Sequence, residues 1–192
     1  MRHRQLTDGE IALAKTVFGE AVDYSRVRLY AQRILPPGLQ KKHQAVAVGN
    51  RISFPRSAYS ADFSQESDAQ KQSVFIHELV HVWQHQNRVL STPREAARET
   101  LKHKFNYAQS YPYRLDPARD LTSYGFEQQA AMIQDYFLLT QHKTATSFKG
   151  RRIDTAAGAE LLARYKAVLK NFLHDPRYAA RAKPAAPKKP RP

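Results

Sequence analysis

The sequence contains no cysteine, so it can form neither a disulfide framework nor a thiolate metal site. Any bound zinc ion must therefore be held by histidine and carboxylate side chains. No apolar run approaches the length of a membrane span, which predicts the absence of a transmembrane segment. The first ten residues also lack the apolar stretch of a signal peptide, and we expect a protein that is cytoplasmic in the cell that produces it.

Acidic residues are few relative to basic ones: 17 Asp and Glu stand against 31 Lys and Arg, which gives a net charge of +14. Such a protein favours polyanions or an acidic partner. No known nucleic-acid-binding motif is present, so we predict no specific nucleic-acid partner. The last segment, residues 177–192, is rich in Pro, Ala and Lys and has no acidic residue. We predict that it is a disordered basic tail, attached to a single domain that spans residues 1–176.

Local patterns predict an α+β domain with small strands near the N-terminus and helices after them. Residues 7–10 fit a capping box and precede an apolar stripe, which indicates a helix. Residues 25–30 alternate between apolar and basic side chains, as in a half-buried strand. Residues 45–54 predict a β-hairpin with a two-residue Gly-Asn turn. Further helices are predicted from about residue 68 to 87, from residue 92, from 123 to 141 and from 154 to 174.

The helix predicted at residues 68–87 carries the pattern H-E-x-x-H, formed by His77, Glu78 and His81. Four residues advance a helix by about 400°, so both imidazoles project side by side and can bind one metal ion. Glu78 lies near the same face, where it can act on a metal-bound water as general base. A chance match is on the order of one per cent in a chain of this kind. The alternative, a hydrogen-bonded polar face without metal, is less favoured because these groups are costly to bury in an apolar helix.

Two histidines do not complete a catalytic zinc site, which usually has three protein ligands and a water. His85 lies one further helical turn along, too far to share the ion with both histidines, and the metzincin spacing is absent. Glu127 is the favoured third ligand because it opens an otherwise apolar helix, although it could also be an N-terminal charge that interacts with the helix dipole. The other glutamates considered are Glu95, Glu99 and Glu160.

Two segments, FIHELVHVWQHQ and SYGFEQQAAMIQDYF, resemble the gluzincin pattern of zinc metallopeptidases, in which a helix with a glutamate ligand follows the H-E-x-x-H helix. Together with LTDGEIALAKTVFGEAVDYSRVRLY they also resemble small bacterial Vgr-related proteins of type VI secretion and Rhs loci, and metallopeptidase-like domains of contractile injection systems. The resemblance implies a zincin-like fold with a small N-terminal sheet and a helical bundle, in which the H-E-x-x-H helix packs against the glutamate helix. It implies Zn2+ as cofactor, His77, His81 and Glu127 as its ligands, and Glu78 as general base.

We therefore expect a zinc metallopeptidase that hydrolyses peptide bonds through a zinc-activated water, linked to a bacterial secretion system as an effector (a toxin) or an accessory protein. Its partners would be a protein or peptide substrate and a secretion-machinery or immunity partner, and export would use a non-classical secretion system. The alternatives are a non-enzymatic zincin-fold adaptor of the secretion machinery and a cell-wall peptide amidase.

The sequence departs from the best-known gluzincins one turn after the ligand glutamate, where an Asp often orients a ligand histidine. Here that position is Ala131, so Gln128, Gln134 or a main-chain carbonyl must take this role. The residue that stabilises the oxyanion stays open among five tyrosines: Tyr107, Tyr111, Tyr113, Tyr124 and Tyr136.

Overall fold

The structure is a computed structural model that describes residues 3–35, 40, 43–89, 112–141 and 155–181. It confirms the α+β class, because a small four-stranded sheet lies among helices. Several predicted features lie outside the described residues: the charged helix from residue 92, Glu95, Glu99, Tyr107, Tyr111 and residues 182–192.

The sheet consists of four short strands: β1 His3–Arg4, β2 Arg28–Tyr30, β3 Val46–Val48 and β4 Arg51–Ser53. Their order is β1-β2-β4-β3, with β2 and β4 parallel and the two outer pairs antiparallel. β3 and β4 form the predicted hairpin, and Gly49 in its turn has a φ of 61°, a conformation that favours glycine.

The N-terminal region differs from the sequence prediction in two places. The strand expected over residues 25–30 begins only at Arg28, because Tyr24–Arg26 forms a 3-10 turn that buries Tyr24. β1 was not predicted, since two residues are too few to show an alternating pattern. β1 makes a tertiary contact through its second residue, Arg4. Both terminal nitrogens of Arg4 donate hydrogen bonds of 2.7 Å to the carboxylate of Glu10, which is fully buried.

The first helix, α1, spans Asp8–Phe18 and begins with the predicted capping box. The Thr7 hydroxyl accepts a hydrogen bond from the Glu10 main chain, and the Glu10 carboxylate accepts one from the Thr7 main chain. The helix ends before Gly19, which has a positive φ of 50°.

Two longer helices, α2 Ala69–Gln86 and α3 Phe126–Gln141, pack against each other and form the centre of the molecule. α2 begins after Asp68, whose side chain accepts a hydrogen bond from the main chain of Gln70. Because the sheet and α3 both pack on α2, ten consecutive residues of this helix, from Phe75 to Gln84, are buried.

Three helices follow within residues 155–181: α4 Thr155–Val168, α5 Lys170–His174 and α6 Tyr178–Arg181. The single helix predicted over residues 154–174 is therefore interrupted, at the buried Leu169. α6 lies within the segment predicted as a tail: Ala179 is buried, and the Tyr178 hydroxyl donates a hydrogen bond of 2.8 Å to Asp120. Packed structure thus continues past the predicted boundary at residue 176.

One core joins the two ends of the chain. The ring of Phe172 on α5 meets the rings of Phe18 on α1 and Trp83 on α2 edge-on, with centroids 6.1 and 5.1 Å apart. Across the described ranges, no helix has both the length and the apolar character that crossing a membrane requires.

Candidate metal centre

The two histidines of α2 and the glutamate at the start of α3 meet where these helices pack together. Oε2 of Glu127 lies 3.4 Å from Nε2 of His77 and 3.4 Å from Nε2 of His81. One possible ligand atom from each residue lies within 4.8 Å of the other two. Nitrogen and oxygen ligands of a single tetrahedral zinc ion lie about 3.4 Å from each other, so the spacing fits one ion.

These three side chains are shielded from solvent. His77 and His81 are 6% and 8% exposed, and the side chain of Glu127 is 13% exposed. The ring of Phe126 stacks on the ring of His81, with centroids 4.4 Å apart and an angle of 19° between the planes. A residue next to Glu127 thus covers one of the histidines, so α3 contributes both a carboxylate and a wall to the site.

Two buried carboxylate oxygens between these side chains are available to an additional partner such as a cation. Oε2 of Glu78 and Oε2 of Glu127 are both buried, and no hydrogen bond reaches either atom from the described part of the chain. Leaving a buried acceptor without a partner costs about 1–3 kcal/mol, and more for a charged group. A cation held by two histidine nitrogens and one carboxylate would satisfy Glu127, and such a set of donors fits zinc.

The electrostatics of the site pair the acids with the histidines. Burial disfavours the charged form of Glu127, yet the neighbouring His81 and His77 hold its pKa well below the usual range. Burial alone would lower the pKa of His81, but Glu127 outweighs this effect and raises it to about 9. Without a metal, His81 and Glu127 therefore form an ion pair, and a metal ion would have to displace a proton from His81.

Glu78 differs from Glu127 in its electrostatic balance. Burial raises the pKa of the Glu78 carboxyl above its ordinary value, against the opposing influence of His81 and His77 and of a hydrogen bond from the Ala47 main chain on β3. A carboxylate with a raised pKa is a stronger base, which is the property that a proton acceptor at neutral pH needs.

The Nδ1 nitrogen of each imidazole, on the side of the ring away from Glu127, contacts one glutamine. Oε1 of Gln134 lies 2.9 Å from Nδ1 of His77, and Oε1 of Gln84 lies 2.9 Å from Nδ1 of His81. Gln134 was one of the candidates for this role, whereas Gln128 bonds to main-chain groups of its own region instead. Gln84 was not among the predicted candidates, although it lies three residues after His81 on the same helix and helical spacing could have identified it as a neighbour.

The remaining candidates do not join this group. His85 is exposed and lies against the Gly49 turn, and Glu160 is exposed on α4. Neither belongs to the set of possible metal ligands found in the described ranges.

Three of the five candidate tyrosines lie in described residues. The Tyr113 hydroxyl donates to Asp135 and bonds to the Tyr165 hydroxyl. The Tyr124 hydroxyl donates to the Arg114 carbonyl, and the ring of Tyr136 lies 6.5 Å from that of Tyr165. These contacts select none of the three as the residue that stabilises the oxyanion.

Comparison with known proteins places the chain in a family. No protein-family model matches it. Over 139 residues it is 42% identical to the type VI secretion system spike protein VgrG2b of Pseudomonas aeruginosa, an alignment that covers 70% of this chain and 13% of that protein. The chain therefore spans only a small part of the length of this curated relative.

A solved structure of similar length to this chain also matches it. The effector domain of Pseudomonas aeruginosa VgrG2b superposes with a TM-score of 0.65 and 36% sequence identity, over 86% of this chain and 83% of that one. The predicted relationship to Vgr-related proteins of type VI secretion is thereby confirmed. The chain belongs to the family of the effector domain of VgrG2b.

Proposed function

We propose that the chain is a zinc-dependent metallopeptidase of the gluzincin type, with a zincin-like fold, that serves a type VI secretion system as an effector or accessory protein. One observation carries this proposal: the possible ligand atoms of His77, His81 and Glu127 lie within 4.8 Å of one another, and Glu78 is buried next to His77 on the same helix. A protein that only held a metal ion would not need Glu78, which favours an enzyme over an adaptor.

Each residue of the site has a separate role in this proposal. His77, His81 and Glu127 would hold the ion. Zinc bound there would polarise the scissile carbonyl and lower the pKa of a water molecule toward about 7. Glu78 would accept the proton from the attacking water and pass it to the nitrogen of the leaving amine. Its raised pKa suits both halves of this transfer, because the group must take up the proton and hold it briefly.

The biological setting follows from the relatives. One is a spike protein of a type VI secretion system and the other is the effector domain of that protein. We propose by extension that this chain contacts secretion machinery, leaves the producing cell by this non-classical route, and acts on a protein or peptide substrate. An immunity partner in the producing cell would accompany an effector of this kind.

Replacing Glu78 with Gln tests the proposed activity. In zinc-loaded protein, Glu78→Gln should slow cleavage of a fluorescence-quenched peptide library by about 100- to 10,000-fold, because Gln keeps the shape of the side chain but accepts no proton. Zinc content, measured by elemental analysis, should not change, because Glu78 is not among the three proposed ligands.

The matched control is Glu160→Gln, which makes the same chemical change at an exposed position on α4 and should keep the wild-type rate. Equal cleavage by wild type and Glu78→Gln, with zinc present in both, would contradict the peptidase and favour the adaptor.

A further inference from the structure

Each glutamine that contacts a site histidine belongs to a short chain of hydrogen bonds that ends on a main-chain carbonyl. A carbonyl oxygen can only accept a hydrogen bond. The direction of every bond in such a chain can therefore be assigned from that end, including the position of the hydrogen atom on the imidazole. In the chain to His81, which contains no rotatable hydroxyl, this removes the usual ambiguity over which way a glutamine amide points.

The first chain runs from α2 through α3 to His77. The hydroxyl of Ser73 donates to the carbonyl of Gln70 over 2.9 Å. While its single hydrogen lies on that carbonyl, the hydroxyl accepts from Gln134, whose Nε2 lies 3.0 Å away. The amide of Gln134 is then oriented with Oε1 toward Nδ1 of His77, and Nδ1 must carry the hydrogen.

The second chain runs from the start of α3 to His81. Nε2 of Gln129 donates to the carbonyl of Tyr124 over 2.8 Å, which turns Oε1 of Gln129 toward Nε2 of Gln84 at 3.0 Å. Nε2 of Gln84 also donates to the carbonyl of Phe126 at 3.0 Å. Oε1 of Gln84 therefore faces Nδ1 of His81, which must again be the donor.

Burial of the linking side chains keeps the hydrogen bonds in these directions. Ser73, Gln84 and Gln129 are at most 3% exposed, so water cannot compete for their hydrogen bonds. Reversing the Gln84 amide would place its oxygen against the Phe126 carbonyl and the Gln129 oxygen, with no donor between them. The orientation seen is the one that satisfies every polar atom along the chain.

We propose that these two amide relays, Gln70–Ser73–Gln134 and Tyr124–Gln129–Gln84, are positioning devices that fix a hydrogen on Nδ1 of His77 and His81 and so reserve Nε2 of both for the metal. The two relays take the place of the carboxylate that often orients a metal-binding histidine in the best-known gluzincins. Unlike a carboxylate, they add no negative charge to the site. The Gln84 relay also ties His81 to the first turn of α3, which carries Glu127. The inference rests on the metal site of the proposed function and not on peptide hydrolysis.

The test removes the accepting oxygen and measures zinc binding. Gln134→Met and Gln84→Met keep a side chain of similar length but cannot accept from Nδ1. Each should weaken zinc binding by about 10- to 100-fold in competition with a chelator. Gln128→Met is the matched control, since Gln128 lies on α3 and, within the described ranges, bonds to the main chain of Gly125 and Pro112.

Two further measurements separate positioning from a general structural role. In Gln134→Glu a carboxylate oxygen can still accept from Nδ1, and the Ser73 hydroxyl can turn to donate to the other oxygen, so most of the zinc affinity should return. Nitrogen-15 spectra of the zinc-loaded wild type should show both ligand imidazoles protonated at Nδ1 and metal-bound at Nε2.

A zinc ion bound through Nδ1, or a zinc affinity of Gln134→Met equal to that of Gln128→Met, would overturn the relays. If Gln84→Met does not fold, the half-buried Gln134 and the wild-type spectra still decide the question. A wild type that binds no zinc would remove the proposed function as well. Intact zinc binding with neutral substitutions would remove only the relays.

Discussion

At the scale of single residues, His81 joins three parts of the site. Its Nε2 faces Glu127, its Nδ1 faces Gln84, and its ring stacks on Phe126. Glu127 raises the pKa of His81 to about 9, so a proton lies between the two side chains at neutral pH when no metal is bound. The same two groups would bind zinc, and the ion and the proton therefore compete for one nitrogen.

This competition predicts the pH dependence of metal binding. Below the pKa of about 9, each zinc ion that binds must release one proton from His81, so affinity should rise about tenfold per pH unit as the pH increases from about 7. Above about pH 9 Nε2 of His81 has already lost its proton, so the zinc affinity should no longer increase with pH. Chelator competition across this range, in buffers that do not bind zinc, measures the slope, and a flat profile would contradict the His81–Glu127 ion pair.

At the scale of elements, α1 and β1 are held together by one buried acid. Glu10 is fully buried and accepts hydrogen bonds from Arg4 on β1, from the main chain of Thr7 and from the main chain of Phe63. A carboxylate that satisfies so many donors stabilises the region only while all of its partners are present, since each of them is left unsatisfied without it.

Glu10→Ala should therefore lower the free energy of unfolding by about 3–5 kcal/mol, because the main-chain N–H groups of Thr7 and Phe63 and the partly buried Arg4 guanidinium all lose their acceptor. Glu20→Ala is the comparison, since Glu20 makes an exposed ion pair with Lys15 and its loss should have little effect. Urea unfolding of both variants measures the difference. Similar stabilities would show that the buried pair contributes no more than the exposed one.

The elements that sequence patterns predicted well are those with local signals. α2 was predicted over residues 68–87 and spans Ala69–Gln86, because the Asp68 cap and the apolar run both lie in the sequence. The grouping of His77 with His81 follows from helical spacing alone. Glu127 could be predicted only by inferring that a zinc site with two histidines lacks a third ligand. The hydrogen bond between Gln84 and Gln129 depends on how α2 packs against α3, which no local sequence pattern encodes.

At the scale of the whole molecule, the C-terminal helices close the core that the N-terminal ones begin. The indole nitrogen of Trp83 donates to the carbonyl of Pro176, and Tyr178 bonds to Asp120. The predicted tail therefore divides in two: residues 177–181 make packing contacts, while the disorder of residues 182–192 stays a prediction.

Two truncations test this division. Removal of residues 182–192 should leave the free energy of unfolding unchanged. Removal of residues 177–192 should lower it by about 2 kcal/mol, since it also deletes the buried Ala179 and the hydrogen bond from Tyr178 to Asp120. Urea unfolding of the two truncated proteins measures both values, and equal stabilities would show that α6 adds nothing.

The single tryptophan, Trp83, provides an intrinsic fluorescence probe of unfolding. Trp83 is fully buried two residues after His81, packs against Phe172 and holds the main chain at Pro176. All indole emission therefore comes from one place, where the helix of the candidate metal site meets the C-terminal part of the chain. A red shift of that emission registers loss of this junction, so unlabelled protein is enough to follow unfolding at the helix that carries the histidines.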